Sequence, residues 1–476
     1  MQSLDLLRRR TFLARSSAGV GAIALGSLGA CQPKAAAAAA ASTAVWPGVI
    51  KTVHVPPKAR RVIWLYMAGG MSHLDTFDYK PKLGEMMGQA MPESFTKGQQ
   101  IAQLQGKPLT CFGPQHAFRR VGKSGQEICE IFPEISTRIA DRIAIVRSMH
   151  TEAINHDPAH TFMNTGSMIT GRPAAGSWLW YGLGSDAQDL PGFVVMVSTG
   201  KFGQTQPIAS RQWHSGLLPS RFQGVEFRSR GDAVHYVRPP AGITLAGQRD
   251  VLDAVGALDG LRNEAIDDPE VAARLAQFEL AFKMQTSVPE LLDFSDESAE
   301  TLALYGTQGG DGSFAANCLL ARRLAERGVR FIQLYHRDWD HHAAVRDHVK
   351  GTAAEVDRGA AALVEDLSRR GMLDDTLVVF GTEFGRTPMA QGKGRDHHMK
   401  AFSMWLAGGG IKPGITYGAT DELGYGVVEN PVTVHDLHAT LLHLMGIDHL
   451  RLTIRAQGRD FRLTDVAGTV VKDLLT

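Results

Sequence analysis

Gly328-Val-Arg-Phe-Ile-Gln-Leu-Tyr335 runs without a break into His336-Arg-Asp338-Trp-Asp340-His341-His342. The first stretch has the length and apolar content of a buried strand, and the second is dense in imidazoles and carboxylates. Ala353, Val356, Ala360, Leu363, Val364 and Leu367 then recur at three- and four-residue steps. That period predicts a helix with one buried face, stopped by Gly371. Thr376-Leu-Val-Val-Phe-Gly381 reads as a second buried strand, opening into a charged loop with Glu383 and Arg386 and, after a Gly-rich turn, Arg395-Asp396-His397-His398. A parallel strand, crossover helix, strand unit is right-handed and brings both strand ends to one edge of a sheet. The two polar clusters are therefore expected to converge.

Working outward, Arg60-Arg61-Val-Ile-Trp-Leu-Tyr-Met-Ala68 is nearly continuous in apolar residues, as a strand buried on both faces would be. It breaks at Gly69-Gly70 into a segment holding His73, Asp75 and Asp78, where a turn with solvated polar residues is the bland alternative. Strands are also expected at 142–147, 191–198 and 401–407, the last taken as the final core strand. His156-Asp157-Pro-Ala-His160-Thr161 to Thr170-Gly171-Arg172 gathers hydroxyls, imidazoles and a carboxylate, as a nucleophile with supporting ligands would. Residues 200–245 have little period and read as an insertion over the sheet edge; 246–300 read as mostly helical. His435, His438 and His443 on a terminal helix read as surface or capping residues. Strands separated by helices predict an α/β fold, an α/β/α sandwich with a mostly parallel central sheet and ligands at the carboxyl ends of its strands.

Lys plus Arg (50) almost balances Asp plus Glu (49) in the 476 residues, so nothing in the composition suggests a nucleic-acid groove or a polyanionic partner. The 18 histidines are grouped, and the four cysteines make no zinc-ribbon pattern, so a metal would be held by imidazole and carboxylate. Arg8-Arg9-Arg10-Thr11-Phe12-Leu13 and the apolar run after it look like a twin-arginine export signal over 1–31. Leu28-Gly29-Ala30-Cys31 resembles a lipobox, which predicts a lipid on Cys31 with ordinary cleavage nearby as the alternative. Residues 32–57 read as an Ala-rich linker and 58–476 as the folded domain. The expected location is periplasmic or otherwise extracytoplasmic, with the twin-arginine machinery as export partner and the membrane touched only through that lipid.

Asp338-x-x-x-His342, the helix and strand that follow, and the later His397 resemble the order of zinc ligands in the alkaline phosphatase superfamily. The segment from His160 to Thr170-Gly171-Arg172 is spaced like a sulfatase nucleophile segment, which implies Thr161 at the nucleophile position. Gly-Gly-Met-Ser-His-Leu-Asp-Thr-Phe-Asp at 69–78, Trp-Asp-His-His at 339–342, Glu-Phe-Gly-Arg-Thr-Pro at 383–388 and Gly-Arg-Asp-His-His at 394–398 are similar to a sulfatase-like family of exported bacterial proteins known as domain of unknown function 1501. The chain departs from the superfamily pattern in three places. Gly69-Gly70 replaces the aspartate after the first strand, so Asp75 or His73 would substitute; Thr382-Glu383 replaces an Asp-His pair; and there is no Cys-x-Pro-x-Arg, which excludes formylglycine chemistry.

The resemblance implies an alkaline phosphatase-like fold and metal-dependent hydrolysis of phosphate or sulfate esters, small or polymeric. His342, His397 and one or both of Asp338 and Asp340 would hold one divalent ion, and Glu383 with Asp75 a second, in a two-metal in-line displacement. Zinc is the expected ion, with manganese or calcium if carboxylates dominate. Thr161 would attack, and Arg386, Lys393 or Arg395 would neutralise charge on the transferred group. The rival expectation is a catalytically silent exported protein that keeps the fold and a metal for binding or assembly.

Overall fold

The computed structural model describes residues 46–234, 242–266 and 269–476. The twin-arginine segment, Cys31 and the run Ala35–Ala44 lie outside the described residues. Residues 46–59, most of which read as linker, instead lie against the folded part: Val49 and Ile50 N–H donate to the carbonyls of Tyr181 and Gly182, and Lys58 and Ala59 N–H to that of Leu444. The described residues fall into two compact units, one within 46–234 and 286–476 and the other within 242–285. The smaller unit is helical, and in it Arg249 Nη1 pairs with Glu279 Oε2 at 2.7 Å.

In the larger unit the strands that build the central sheet and the site are β1 (Arg61–Met67), β2 (Ile143–His150), β3 (Phe193–Ser198), β4 (Val225–Phe227), β5 (Phe331–His336) and β6 (Thr376–Gly381). They continue with β7 (Gly385–Gln391), β8 (Gly394–His398), β9 (Phe402–Ala407), β10 (Ile415–Tyr417) and β11 (Val432–Thr433). Among the described residues one sheet runs in the order β10-β2-β9-β6-β1-β5-β3-β4, with β11 also paired to β2. β1 is parallel to both β5 and β6, which explains its unbroken apolar run: it is flanked on each side and covered on each face. Only β9 runs against the rest, so the sheet is mostly parallel as expected. Residues 401–407 are not the final core strand, because the short β10 and β11 follow and extend the β2 edge. Strands of three and two residues carry too little alternation to be read in advance.

The helices that cover the sheet are α1 (His156–Thr165), α2 (Ala175–Leu183), α3 (Phe314–Glu326), α4 (Val345–Arg369) and α5 (Val434–Leu444). Trp64 and Tyr66 of β1 meet His438 of α5 and His160 of α1, and their register partners Gln333 and Tyr335 reach Asn164 of α1. His336, on the opposite face by strand alternation, meets Phe314 of α3. Helices thus lie on both faces, completing an α/β/α sandwich. His438 is not a surface residue: it is fully buried between sheet and helix, and its Nε2 bonds the Met163 carbonyl.

β5 and β6 flank β1, so the segments leaving all three strands emerge at one edge. The charged loop expected after β6 is instead the antiparallel hairpin β7–β8, whose register shifts between Arg395 and His397. Buried arginines and histidines in place of alternating apolar residues conceal such a hairpin from a hydrophobic reading. The bulge turns Asp396 aside to accept N–H groups from Leu104 and His397, both at 2.8 Å, and leaves His397 facing the strand ends.

Candidate metal centre

Three elements supply the imidazoles and carboxylates. The segment after β5 brings Asp340 and His342, the hairpin brings His397, and the first turn of α1 brings His156. His342 Nε2 and His397 Nε2 are 3.0 Å apart, and Asp340 Oδ1 lies 2.9 Å from the former and 3.4 Å from the latter. His156 Nε2 is 3.3 Å from Asp340 Oδ2. Ligand atoms about 2.0–2.1 Å from a tetrahedral zinc lie roughly 3.3 Å from one another, so this spacing suits one ion. The far side of each ring supports the same conclusion. His342 Nδ1 donates to Gln391 Oε1, and His397 Nδ1 donates to the Ile154 carbonyl at 2.9 Å. Those bonds turn the Nε2 of each ring toward the other and toward Asp340 Oδ1, so that a cation placed between them would meet all three atoms.

His156, His160 and Glu383 form an adjoining group. His156 Nδ1 is 2.9 Å and His160 Nε2 3.7 Å from Glu383 Oε1, and His156 belongs to both groups. His160 is fully buried; its Nδ1 bonds Tyr66 Oη at 2.9 Å, while its Nε2 has no hydrogen-bond partner. Glu383 is held in place by Gly69 N–H at 3.0 Å and by the Thr382 hydroxyl at 2.9 Å. Gly69, at φ +126°, is required here: a Cβ would fall 2.5 Å from the Asp340 nitrogen. Sequence reasoning singled out this segment but assigned neither histidine a ligand role. Their four-residue spacing, which puts both on one helix face, is the signal that would have found them.

The charges are arranged to keep donors available. Burial alone would raise the Asp340 carboxyl, but its contacts with the imidazoles of His156, His342 and His397 and the charge of Arg386 hold it far below the usual carboxylate range. Burial likewise opposes ionisation of Glu383, and His160 together with the His156 hydrogen bond brings it down to about 2. Burial lowers the imidazoles of His160 and His397 from their ordinary value, which disfavours their protonation. His156 is raised, because its bonds to Asp340 and Glu383 outweigh its own burial. A depressed carboxyl contributes stability that is complete above its unfolded pKa and lost as pH falls through the folded one. For Glu383 that window lies between the ordinary glutamate value of 4.5 and about 2. Metal-free protein is therefore expected to lose urea resistance between pH 5 and pH 3, and Glu383→Gln, weaker at neutral pH, to lose less across that interval.

The remaining expected site residues lie elsewhere or serve differently. Asp75 is outside both groups: Arg395 grips its carboxylate at 2.7 and 3.2 Å, and Ser72 Oγ and Gln115 N–H complete its bonds. Asp338 is outside them too, with its carboxylate turned to the N–H groups of Phe202, Gly203 and Gln204. His73 bonds the Gly424 carbonyl at 2.9 Å. Thr161 stands beside His160 on the stripe of α1 shared with Asp157 and Thr165, its hydroxyl donating to the Asp157 carbonyl at 2.8 Å. Arg386 is buried and gives its guanidinium to the carbonyls of Gly69, Gly70 and Arg395 and, at 2.5 Å, to Asp340 Oδ1. Buried as it is, it supports a carboxylate of the centre and the turn that carries Gly69 and Gly70. Lys393 is exposed at the hairpin turn.

Fold and site together define an α/β/α protein with a His/Asp group at its strand ends that could hold a metal ion. Residues 59–475 match the family described as Protein of unknown function (DUF1501), and the chain belongs to that family. No match is found among the curated proteins. Solved structures similar to the chain include the PsFucS1 sulfatase from Pseudoalteromonas sp., at 11% identity, with 88% of this chain and 72% of that one covered and a TM-score of 0.31. A protein in the alkaline phosphatase superfamily from Vibrio parahaemolyticus matches at 10% identity, with coverage of 87% and 75% and a TM-score of 0.34. The C-terminal periplasmic domain of EcEptC from Escherichia coli, in complex with Zn, matches at 8% identity, with coverage of 91% and 99% and a TM-score of 0.35. Among the described residues no helix is long and apolar enough to cross a membrane.

Proposed function

We propose that this chain is an exported, metal-dependent hydrolase of phosphate or sulfate esters. The observation that carries the reading is the convergence of three imidazoles and Asp340 at ligand spacing, with the Nδ1 atoms of His342 and His397 anchored on oxygens. Three nitrogens and one carboxylate favour zinc over calcium or manganese. Asp340, His156, His342 and His397 would hold one ion, and Glu383 and His160, with His156 shared, a second. The chemistry such ions supply when bound is Lewis-acid polarisation of an ester oxygen and a lowered pKa of water. The chain's own part is to favour the ionised carboxylates of Asp340 and Glu383, to disfavour protonation of His160 and His397 by burying them, and, through Arg386, to hold Asp340 where the imidazoles meet. Asp340 and His342, with side chains 23% and 27% exposed, are the most exposed members of the group and so mark the side from which an ester approaches.

Water, not Thr161, is the attacking group in this reading, since the Thr161 hydroxyl is bonded into its own helix. Thr161→Val is accordingly expected to leave turnover within about threefold, whereas removing an activated nucleophile costs about 10⁴-fold or more. A loss of that larger size would reinstate the covalent route. The founding experiment measures bound metal in protein purified from a folded exported pool, then turnover of aryl phosphate and aryl sulfate before chelation, after it, and after return of zinc. Zinc-restored hydrolysis supports the proposal. Retained zinc with no turnover on either ester would assign the chain to metal binding or assembly instead.

A further inference from the structure

We propose that Asp338 is the latch of a strap, residues 200–204, that fixes Asp340 in the metal centre; the proposal rests on the reading of Asp340 as a metal-holding residue. Asp338 Oδ2 accepts the N–H groups of Phe202 and, at 3.1 Å, Gly203, while Oδ1 accepts that of Gln204 at 2.6 Å. Gln204 in turn grips the Asp340 backbone from both sides: its Nε2 donates to the Asp340 carbonyl at 2.9 Å, and its Oε1 accepts the Asp340 N–H at 3.1 Å. One carboxylate therefore orders three consecutive amides, and the last of those residues sets the height and direction of the next acidic side chain in the cluster.

Two backbone features show that the contact is built. Asp338 is a non-glycine residue at φ +79°, a conformation rarely adopted by an L residue and retained only where its surroundings demand it. Gly200 lies so close beneath the latch that a Cβ there would fall 2.3 Å from Asp338 Oδ2. The far side of the strap is seated on α4. Phe202 stacks on His348 at 4.3 Å between ring centroids, and a Cβ at Gly351 would meet its ring at 2.7 Å. Lys201 N–H donates to Glu355 Oε2 at 3.1 Å. His348, Gly351 and Glu355 recur at steps of three and four, so one face of α4 forms the seat. Asp338 is thus a positioning residue that acts on Asp340 through Gln204.

The test uses Asp338→Gly, which removes the carboxylate and accepts the positive φ without strain, and Gln204→Ala. In metal-free full-length protein, hydrogen exchange at the Asp340 amide is expected to lose protection in both variants. Zinc affinity, read by competition with a chromogenic chelator, is expected to fall about 10–100-fold in each, the range found when partners behind a ligand are removed. The double variant should bind zinc no more weakly than the weaker single one, because both changes cut the same connection. Wild-type protection of the Asp340 amide in Asp338→Gly would overturn the proposal. So would wild-type zinc affinity in both variants, even if their thermal stability dropped. If wild-type protein itself takes up no zinc, the metal reading fails, and Asp340 exchange alone still decides whether the latch exists.

Discussion

His342→Ala is expected to remove the zinc held with Asp340, lowering zinc stoichiometry by one ion per chain, and to lower ester hydrolysis on the order of 10³-fold, the scale on which loss of a preorganised charge-stabilising group registers. The side chain lies 3.0 Å from His397 Nε2 and 2.9 Å from Asp340 Oδ1, so its removal breaks the densest part of the cluster. His397→Ala should do the same, since the two rings are equivalent in their support by distant oxygens. A binding readout separates this from general damage. Free zinc at a hundredfold excess over a site's dissociation constant stabilises a protein by about 2.7 kcal/mol, and the increment from the ion held with Asp340 should be present in wild type and missing in both variants. Unchanged zinc stoichiometry in His342→Ala would remove the basis of the hydrolase proposal.

The second large effect concerns Asp75, whose expected ligand role the structure replaces with a different one. Its carboxylate and the Arg395 guanidinium are both fully buried and paired at 2.7 Å, and Arg395 also donates to the carbonyls of Phe112, Thr387 and Gly113. Burial pushes the Asp75 carboxyl up, but Arg395, Ser72 and the Gln115 amide together bring it below its ordinary value. Asp75→Ala leaves a buried guanidinium without its counter-charge, a change that costs about 3–5 kcal/mol. A large drop in urea midpoint is expected, with a smaller one for Asp75→Asn, which keeps an acceptor for Arg395. Folded Asp75→Asn should still bind zinc at wild-type stoichiometry. Loss of zinc without loss of stability would instead make Asp75 a ligand.

Why one carboxylate joins the metal group and another does not was only partly legible in advance. Asp338 and Asp340 stand two residues apart in the same polar run, and nothing in the spacing separates them. The left-handed backbone at Asp338 swings its side chain toward amides lying some 135 residues earlier in the chain, and Asp340 is left to face the imidazoles. Asp75 follows a glycine pair at a strand end, as a ligand might, yet Arg395 from the hairpin claims it. Arg386 looked free to meet a substrate because a sequence does not show which carbonyls will surround a guanidinium. His156 and His160 were within reach of the pattern, being one helical turn apart, whereas Thr161 was placed by resemblance and its side chain points along a neighbouring stripe.

By itself the sequence determined the strand, helix, strand core, its parallel run, and the edge at which His342, His397, Asp340 and Glu383 would gather. Those outcomes follow from local hydrophobic period and the handedness of crossover connections, both written in neighbouring residues. Tertiary structure alone decided the hairpin of buried charges, the sharing of His156 between two groups, and the withdrawal of Asp75 and Asp338. Each of those depends on which distant donor satisfies a buried polar atom, and that pairing exists only once the chain has closed around it.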